Sequence, residues 1–314
     1  MIDITYGVQI QGSKNKIAEK IIAQLPKADV LVDLFCGGGA ITHCALLSEK
    51  YDRVIMNDIN SGIVELFINA AHGKYKDEKR WISREDFFKL CDTDPYVKWC
   101  WSFSNNGRDY MYGKNIEPWK KALYYARFLG DTSLLKDMGI NSDGSRGDIR
   151  AHADEYREKY ITWLSTGFKI SYKSTTQNLQ SLQNLERLRR LQSLQSLQSP
   201  QNLERLESCS VDYRDVDIPP NAVVYCDIPY RGTDCKGYKG FNHEEFYEWA
   251  KKRNDIFISE YRMPEPFVEY WSCEKWVLSN GDGSHAKAVE RIYTTQQTLN
   301  SQSKISKKRG MTHE

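Results

Sequence analysis

Short apolar runs alternate with glycine turns and amphipathic segments along the first 75 residues. Residues 13–25 predict a helix, because four apolar side chains share one face and Ser13 can cap the first turn. The apolar positions of that face are Ile17, Ile21, Ile22 and Leu25. VLVDLF (30–35) and VIMND (54–58) predict strands, each followed by a predicted helix. This alternation favours an α/β fold with a parallel sheet.

The pattern changes between residues 75 and 177, where aromatic and charged residues predominate and five of the eight tryptophans lie. This segment predicts a mostly helical domain inserted into the sheet. The α/β pattern resumes after the insertion, with strands predicted at AVVYCD (222–227) and DIFISEY (255–261). We therefore predict one α/β domain formed by residues 1–74 and 208–300. The polar, basic segment 301–314 predicts a disordered tail.

Residues 178–207 form ten consecutive triplets, and leucine is the central residue of all but one, where Pro200 stands. A period of three fits neither a helix face nor one face of a strand. We interpret this low-complexity tract as a spacer or partner-binding element that loops outward from the sheet. A direct functional role and a small solenoid of stacked coils stay open as alternatives.

Composition and charge indicate which partners and which cellular location are compatible with this chain. The chain has 314 residues, 40% of them apolar, and a formal net charge of +2, so a nucleic-acid partner requires a local basic face. Eight cysteines without a CxxC pair favour reduced thiols and a cytoplasmic location, and no histidine spacing typical of a metal site occurs. Residues 1–16 contain no apolar core of the kind a signal peptide has, and no apolar run reaches the length of a membrane span, so we expect neither element.

Two loops at predicted strand ends indicate a nucleoside ligand. In DLFCGGG (33–39), the glycines let the backbone approach a ligand, yet Thr42 replaces the third glycine of a dinucleotide motif and no P-loop lysine follows. Asp58, after the next strand, can accept hydrogen bonds from two ribose hydroxyls. Because phosphate-binding features are missing, S-adenosylmethionine is the favoured cofactor. A simple turn and a helix cap are the structural alternatives.

The tetrapeptide DIPY (227–230) follows a predicted core strand and can activate an amine. Asp227 and the Ile228 carbonyl could each accept an N–H bond from an exocyclic base amine, which would direct its lone pair at a methyl donor. Pro229 makes the turn rigid, and Tyr230 could stack on the base. A base in a duplex must flip out to reach this position.

These motifs, taken in order, resemble the Dam-type DNA adenine-N6 methyltransferases. The similarity rests on QGSKNKIAEKIIAQLP (11–26), DLFCGGGA, NDINSGIVELF, VDYRDV, DIPY, WSFSNNGRDYMYG (101–113) and HAKAVERIY. DIPY stands for the usual Asp-Pro-Pro-Tyr, and we expect activity to survive because Ile228 still supplies a carbonyl. The leucine tract departs from the family pattern.

The resemblance implies a Rossmann-like class I methyltransferase sheet with an inserted target-recognition domain at 75–177. It implies a cofactor site formed by Gly12, Lys14, Asp33, Phe35, Gly37, Gly39, Asp58, Asp212 and Tyr213. The catalytic residues would be Asp227, Ile228, Pro229 and Tyr230. The candidate DNA contacts are Asn105, Asn106, Arg108, Tyr110 and Lys114.

The expected activity is site-specific methylation of adenine N6 in double-stranded DNA, without a metal ion. Because the amine-activating chemistry is shared, cytosine N4, RNA adenine and protein glutamine stay open as acceptors. An inactive DNA-binding scaffold is the alternative from another class of protein. Both a solitary enzyme and one paired with a nuclease in restriction-modification are compatible with the sequence.

Overall fold

A computed structural model describes residues 5–167, 191, 194–232, 240–278 and 285–301 of the chain. The chain divides into two compact units. The first unit comprises Met1–Val8, Ser13–His72 and Ser196–Glu314, and the second comprises Gln9–Gly12 and Gly73–Gln195. The first unit therefore resumes within the leucine tract, twelve residues before the predicted position at 208.

The described part of the first unit contains a seven-stranded sheet with the order β3-β2-β1-β4-β5-β7-β6. The strands are β1 (Val30–Asp33), β2 (Arg53–Asn57), β3 (Leu206–Cys209), β4 (Val223–Asp227), β5 (Ile256–Ser259), β6 (Phe267–Leu278) and β7 (His285–Thr295). The pairs from β3 to β5 are parallel, whereas β7 is antiparallel to both β5 and β6. The sheet confirms the predicted α/β class.

Helices of the described residues lie between the strands and throughout the second unit. They are α1 (Ala18–Gln24), α2 (Ala40–Leu47), α3 (Ser61–Ala71), α4 (Arg84–Leu90), α5 (Pro95–Cys100), α6 (Glu117–Tyr124), α7 (Ser133–Asp137), α8 (Arg146–Ala151), α9 (Ala153–Gly167), α10 (Pro200–Glu204) and α11 (His243–Ala250). The apolar face predicted for the first helix is buried, but Ser13 does not cap it. Its N-cap is Ile17, without a capping side chain, because residues 15–17 form a turn and the helix begins only at Ala18.

The central strands are apolar on both faces, as expected for parallel strands covered by helices. All four residues of β1 are buried, as are the first four of β4. Each of these two strands ends in an aspartate, Asp33 and Asp227. The acidic ends thus emerge directly from the core of the sheet.

The described end of the leucine tract is part of the first unit and does not loop outward. Leu206 and Glu207 begin the edge strand β3, which pairs with β2. The Arg205 guanidinium donates to the Leu46 carbonyl at 3.1 Å, at the end of α2, and to the Tyr51 carbonyl. These bonds fix the chain at the sheet edge.

Ser196 of the tract contacts a buried histidine of α2. His43 Nδ1 accepts from the Gly7 N–H at 3.0 Å, and its Nε2 lies 2.8 Å from the Ser196 hydroxyl. Burial lowers the pKa of His43 to about 4, so the ring is neutral at physiological pH. The rest of the tract, residues 178–190 with 192 and 193, lies outside the described residues, as do residues 168–177 of the predicted insertion and 302–314 of the predicted tail.

The described part of the second unit is mainly helical and has an aromatic core. Trp101, Tyr96, Tyr124 and Tyr160 are almost completely buried. Trp81 contacts the rings of Trp101 and Tyr124 edge-on and stacks on Tyr112. Several aromatic residues of this unit therefore stabilise its own core.

Among the described residues, the structure shows no membrane-spanning helix, no metal-binding cluster and no disulfide bond. None of their helices is both long and apolar enough to cross a membrane. Their His, Cys, Asp and Glu side chains include no group of three or more that could hold a metal ion. The seven cysteines among them are free thiols, and Cys235 lies outside the described residues.

Candidate active site at the switch point of the sheet

The strand order reverses between β1 and β4, which are parallel neighbours in the centre of the sheet. From β1 the chain adds strands on one side, and from β4 it adds them on the other. Ligands of open α/β sheets bind beyond the carboxyl ends of the strands at such a reversal. Asp33 and Asp227 end these two strands and so lie at the position where this fold binds ligands.

The turn after β1 requires glycine for steric reasons. Gly37 and Gly39 both have positive φ angles, +48° and +69°. A Cβ on Gly39 would lie 2.6 Å from the ring of Phe67 in α3. The Gly39 N–H donates to the Cys36 carbonyl at 2.7 Å and closes the turn. This tight backbone leaves room beside the strand end for a ligand.

Asp58 connects this turn to the loop after β2. One carboxylate oxygen accepts the Gly37 N–H at 2.9 Å, and the other accepts the Asn60 N–H at 2.9 Å. The side chain is buried, so these backbone donors compensate its charge where water cannot. A carboxylate has about four acceptor directions, so these two bonds are compatible with additional hydroxyl donors from a ribose.

Asp33 is buried at the end of β1. Its Oδ2 accepts from the Thr42 hydroxyl at 2.7 Å and from the Thr42 N–H at 3.1 Å. Its Oδ1 is buried and has no hydrogen-bond partner among the described residues. Burial raises the pKa of Asp33 to about 7, and the negative charges of Asp227 and Asp58 add to the effect. An unsatisfied carboxylate oxygen of this kind favours a cationic or hydrogen-bonding ligand nearby.

Asn57, which was not predicted as a site residue, fixes the loops around Asp58. Its Nδ2 donates to the Leu34 carbonyl at 3.1 Å and to the Val211 carbonyl at 3.2 Å. Its Oδ1 accepts the Val211 N–H at 3.1 Å. One buried amide thus connects the ends of β1 and β2 to the loop after β3. The position of Asn57 at the end of an apolar strand was the feature of the sequence that could have indicated a role at the site.

The other residues predicted to bind the cofactor differ in burial and in the groups that they contact. The Tyr213 ring is buried, with the Phe35 ring at 5.5 Å and the Phe246 ring at 5.5 Å. Asp212 accepts the Arg214 guanidinium at 2.7 Å. Gly12 belongs to the second unit and has a φ of +85°.

Four side chains meet at the DIPY turn after β4. Lys14 Nζ lies 2.6 Å from Asp227 Oδ1 and 3.5 Å from Glu290 Oε1. The Tyr230 hydroxyl donates to the same Glu290 oxygen at 2.5 Å. Lys14 Nζ also lies 4.8 Å from the centroid of the Tyr230 ring, within the range of a cation–π contact. A lysine predicted to bind the cofactor therefore contacts both the acid and the aromatic ring predicted to act on the base.

The charges of this cluster are mutually dependent. Burial alone would lower the pKa of Lys14, but Asp227 and Glu290 together raise it above its ordinary value. Burial, with the negative charges of Asp227 and Glu290, raises the pKa of the Tyr230 phenol. Lys14 is therefore an ammonium ion and Tyr230 a neutral hydrogen-bond donor at physiological pH.

A histidine of α11 fixes the backbone of the DIPY turn. His243 Nε2 donates to the Pro229 carbonyl at 2.7 Å, and because a carbonyl only accepts, this nitrogen carries the proton. The Ile228 side chain is buried in the apolar core around β4. Glu290 and His243 were both missed as site residues from the sequence, although HAKAVERIY was noted as a family segment.

The five candidate DNA contacts have different exposures within the second unit. Arg108 and Lys114 are exposed. Asn106 organises its own loop, because its Oδ1 accepts the N–H groups of Arg108 at 2.9 Å and Asp109 at 3.1 Å. Asn105 is buried and donates to the Trp99 carbonyl at 2.8 Å, and the buried Tyr110 donates to the Ile82 carbonyl at 2.7 Å. Of the five, Arg108 and Lys114 thus have the most accessible side chains.

The mixed seven-stranded sheet with its helices is of the α/β class and is consistent with a methyltransferase fold. Residues 11–126 match the model of the family described as D12 class N6 adenine-specific DNA methyltransferase. That family consists of enzymes, and the match supports the predicted resemblance to the Dam-type adenine methyltransferases. The matched segment includes Lys14, the glycine turn and Asp58, whereas DIPY lies beyond it. The comparison with curated proteins found no match to this chain.

Proposed function

We propose that the chain methylates the N6 amine of a flipped-out adenine in DNA, with S-adenosylmethionine bound at the carboxyl ends of β1 and β2. The observation that carries the proposal is the position of Asp33 and Asp227 at the ends of adjacent strands, beside the glycine turn. Class I methyltransferase chemistry requires a cofactor pocket and an amine acceptor site next to each other. The two strand ends satisfy this requirement.

The residues around the glycine turn fit the cofactor. S-adenosylmethionine supplies, when bound, an electrophilic methyl group on a positively charged sulfonium. Asp33, with its buried unsatisfied oxygen, would favour the positive charge of the ligand, and Asp58 would accept ribose hydroxyls. Tyr213 and Phe35 offer aromatic contact for the adenine of the cofactor.

The DIPY turn would activate the target amine. Asp227 and the Ile228 carbonyl each accept one N–H bond, which frees the nitrogen lone pair from conjugation with the ring. As the N–C bond forms and the bond between the methyl group and the sulfonium sulfur breaks to leave a neutral thioether, the Asp227 carboxylate would stabilise the positive charge on nitrogen and could accept the proton that nitrogen then loses. Tyr230 stacks on the base, a contact worth about 1–3 kcal/mol.

The test is a methylation assay with purified protein, S-adenosylmethionine and DNA of mixed sequence. Asp227→Ala and Tyr230→Ala should each abolish most of the activity and retain the cofactor affinity measured by calorimetry. Full activity of both variants would refute the assigned roles. A parent protein that binds DNA but not the cofactor would support the inactive-scaffold alternative.

We further propose that the second unit recognises DNA through Arg108 and Lys114, whose charged side chains are exposed. Arg108→Ala should weaken DNA binding or relax sequence choice, and Lys114→Ala should reduce the salt dependence of binding. Tyr110→Phe is the matched control, because that ring is buried within the unit. Equal DNA affinity of Arg108→Ala and the parent across salt concentrations would contradict this role. Site-specific methylation of this kind would suit either a solitary enzyme or a restriction-modification system.

A further inference from the structure

The contacts of Lys14 raise a conflict with the proposed chemistry, on which this inference rests. Lys14 Nζ is 2.6 Å from Asp227 Oδ1, an oxygen of the carboxylate that should accept the adenine amine. The same ammonium is 4.8 Å from the centroid of the Tyr230 ring, which should stack on the adenine. A group that contacts both lies in the space between the two partners of the base. The amine and the ammonium therefore compete for one position.

The position of Lys14 has a clear electrostatic reason while no base is bound. Its side chain is 6% exposed and that of Glu290 is fully buried, so both charges are largely removed from water. Two carboxylates, Asp227 and Glu290, converge on the single ammonium. The ammonium offsets the negative charges of these two carboxylates in a poorly hydrated site, where like charges repel each other strongly.

Glu290 is placed to receive the ammonium when Asp227 is needed elsewhere. Its Oε1 lies 3.5 Å from Lys14 Nζ, so a shift of about 1 Å would bring the pair to a direct hydrogen bond. The Tyr230 hydroxyl, at 2.5 Å from the same oxygen, fixes the carboxylate beforehand. The shift leaves the summed charge of Asp227, Lys14 and Glu290 unchanged, so no additional charge is buried.

We propose that Lys14 holds the place of the target amine in the empty pocket and that Glu290 draws it aside when the base enters. Glu290 is thus a positioning residue for methylation, which acts through Lys14 and does not contact the base. Its place on β7, hydrogen-bonded between β5 and β6, gives it a rigid support. The role is specific to the amine side of the site and leaves the cofactor side unaffected.

A double-mutant cycle with Glu290→Gln and Lys14→Met tests this role. Glu290→Gln keeps the size of the side chain but removes the charge that attracts the ammonium. We expect it to lower kcat/KM for DNA by about ten- to a hundredfold, the value of one hydrogen bond between charged groups. Its dissociation constant for S-adenosylmethionine, measured by calorimetry, should stay within about threefold of the parent. In the Lys14→Met background, the same substitution should change kcat/KM by less than about threefold, because no ammonium remains to be moved.

Glu260→Gln is the matched control. Glu260 is also buried, follows the neighbouring strand β5, and accepts the N–H groups of Arg231 at 2.9 Å and Tyr261 at 2.6 Å. Because these donors belong to the backbone, the effect of Glu260→Gln should be the same with and without Lys14→Met. If Glu290→Gln does not fold, Glu290→Asp replaces it in the cycle, since the shorter side chain holds its carboxylate farther from Lys14.

Three outcomes would overturn the inference. The first is a kcat/KM of Glu290→Gln equal to that of the parent. The second is an equal loss of kcat/KM on Glu290→Gln substitution with and without Lys14→Met. The third is a Lys14→Met variant that folds and binds the cofactor but has no activity. The last result would mean that Lys14 is needed in the chemical step itself. An inactive parent, or an active Asp227→Ala variant, would instead refute the proposed function, so the two failures are distinguishable.

Discussion

The two sides of the site are held in place by different kinds of contact. On the cofactor side, Asp58 accepts the backbone N–H groups of Gly37 and Asn60, and Asp33 accepts two donors of Thr42. On the amine side, Asp227 is bonded to the long side chain of Lys14. Backbone donors move only if the fold moves, whereas an ammonium on a flexible stem can be displaced.

Under the proposed function, this difference would make the cofactor side preorganised and would let the amine side change when the base enters. A cofactor that is always needed favours a fixed pocket, since less ordering is then required on binding. A base that must first leave a duplex favours a pocket whose charges are compensated until it arrives. Substitutions on the cofactor side should therefore reduce stability or cofactor binding, and those on the amine side should reduce turnover.

The largest effect is expected for Gly39→Ala on the cofactor side. The new Cβ would meet the Phe67 ring at 2.6 Å and adopt a φ of +69°, so we expect the free energy of unfolding to fall by about 3 kcal/mol or more. Denaturant unfolding measures it. Gly130→Ala is the control, because its φ is +71° but no atom lies within 4 Å of the added carbon. Equal losses in both variants would show that the turn is not sterically fixed.

Asp58→Asn should weaken the cofactor side without unfolding it. An amide has one acceptor oxygen where the carboxylate has two, so either the Gly37 or the Asn60 N–H would face an amide NH₂. Loss of one such bond should raise the dissociation constant of S-adenosylmethionine by about ten- to a hundredfold. Calorimetric titration measures this change.

The control for Asp58→Asn is Asp52→Asn, because Asp52 is exposed just before β2. The Asp52→Asn variant should bind the cofactor with the affinity of the parent protein. If Asp58→Asn raised KM for DNA and left cofactor affinity intact, the assignment of Asp58 to the cofactor side would be wrong.

The first half of the sheet and the glycine turn were predictable because their signals are local. Continuous apolar runs such as VLVD form strands buried on both faces, and the acid that ends each run has to lie at the sheet edge. By contrast, β3 was missed because Leu206 belongs to the leucine triplets, whose period of three hides the two-residue period of a strand.

Glu290 and His243 were not predicted as site residues because their partners lie far away in the sequence. Glu290 meets Lys14 only through the pairing of β7 with β5, and such long-range pairings leave no local pattern. A signal was nevertheless present. Glu290 occupies the same strand face as the buried Ile292, two residues later, where an unpaired acid would be strongly unfavourable.

The raised pKa of Asp33 predicts a pH-dependent stability on the cofactor side. Burial raises this pKa from 3.8 to about 7, so between about pH 4 and pH 7 the folded protein keeps a proton that the unfolded chain releases. The contribution of Asp33 to the free energy of unfolding should therefore fall as pH rises through this window, by about 1.4 kcal/mol per pH unit at most. Comparison of denaturant unfolding of the parent and Asp33→Asn across the window measures it. Parallel curves for the two proteins would contradict the assigned pKa.

The smallest effect is expected for His243→Phe on the amine side. The ring size is retained, but the bond from Nε2 to the Pro229 carbonyl at 2.7 Å is lost, so the DIPY turn becomes less rigid. We expect kcat to fall about five- to tenfold, the value of one neutral hydrogen bond, with unchanged cofactor affinity. Single-turnover methylation measures this. The control is His72→Phe, because His72 contacts the Ile68 carbonyl at the end of its own helix α3. Parental kcat in His243→Phe would mean that Pro229 and the buried Ile228 side chain suffice to hold the turn, which would place the amine side closer to the preorganised cofactor side.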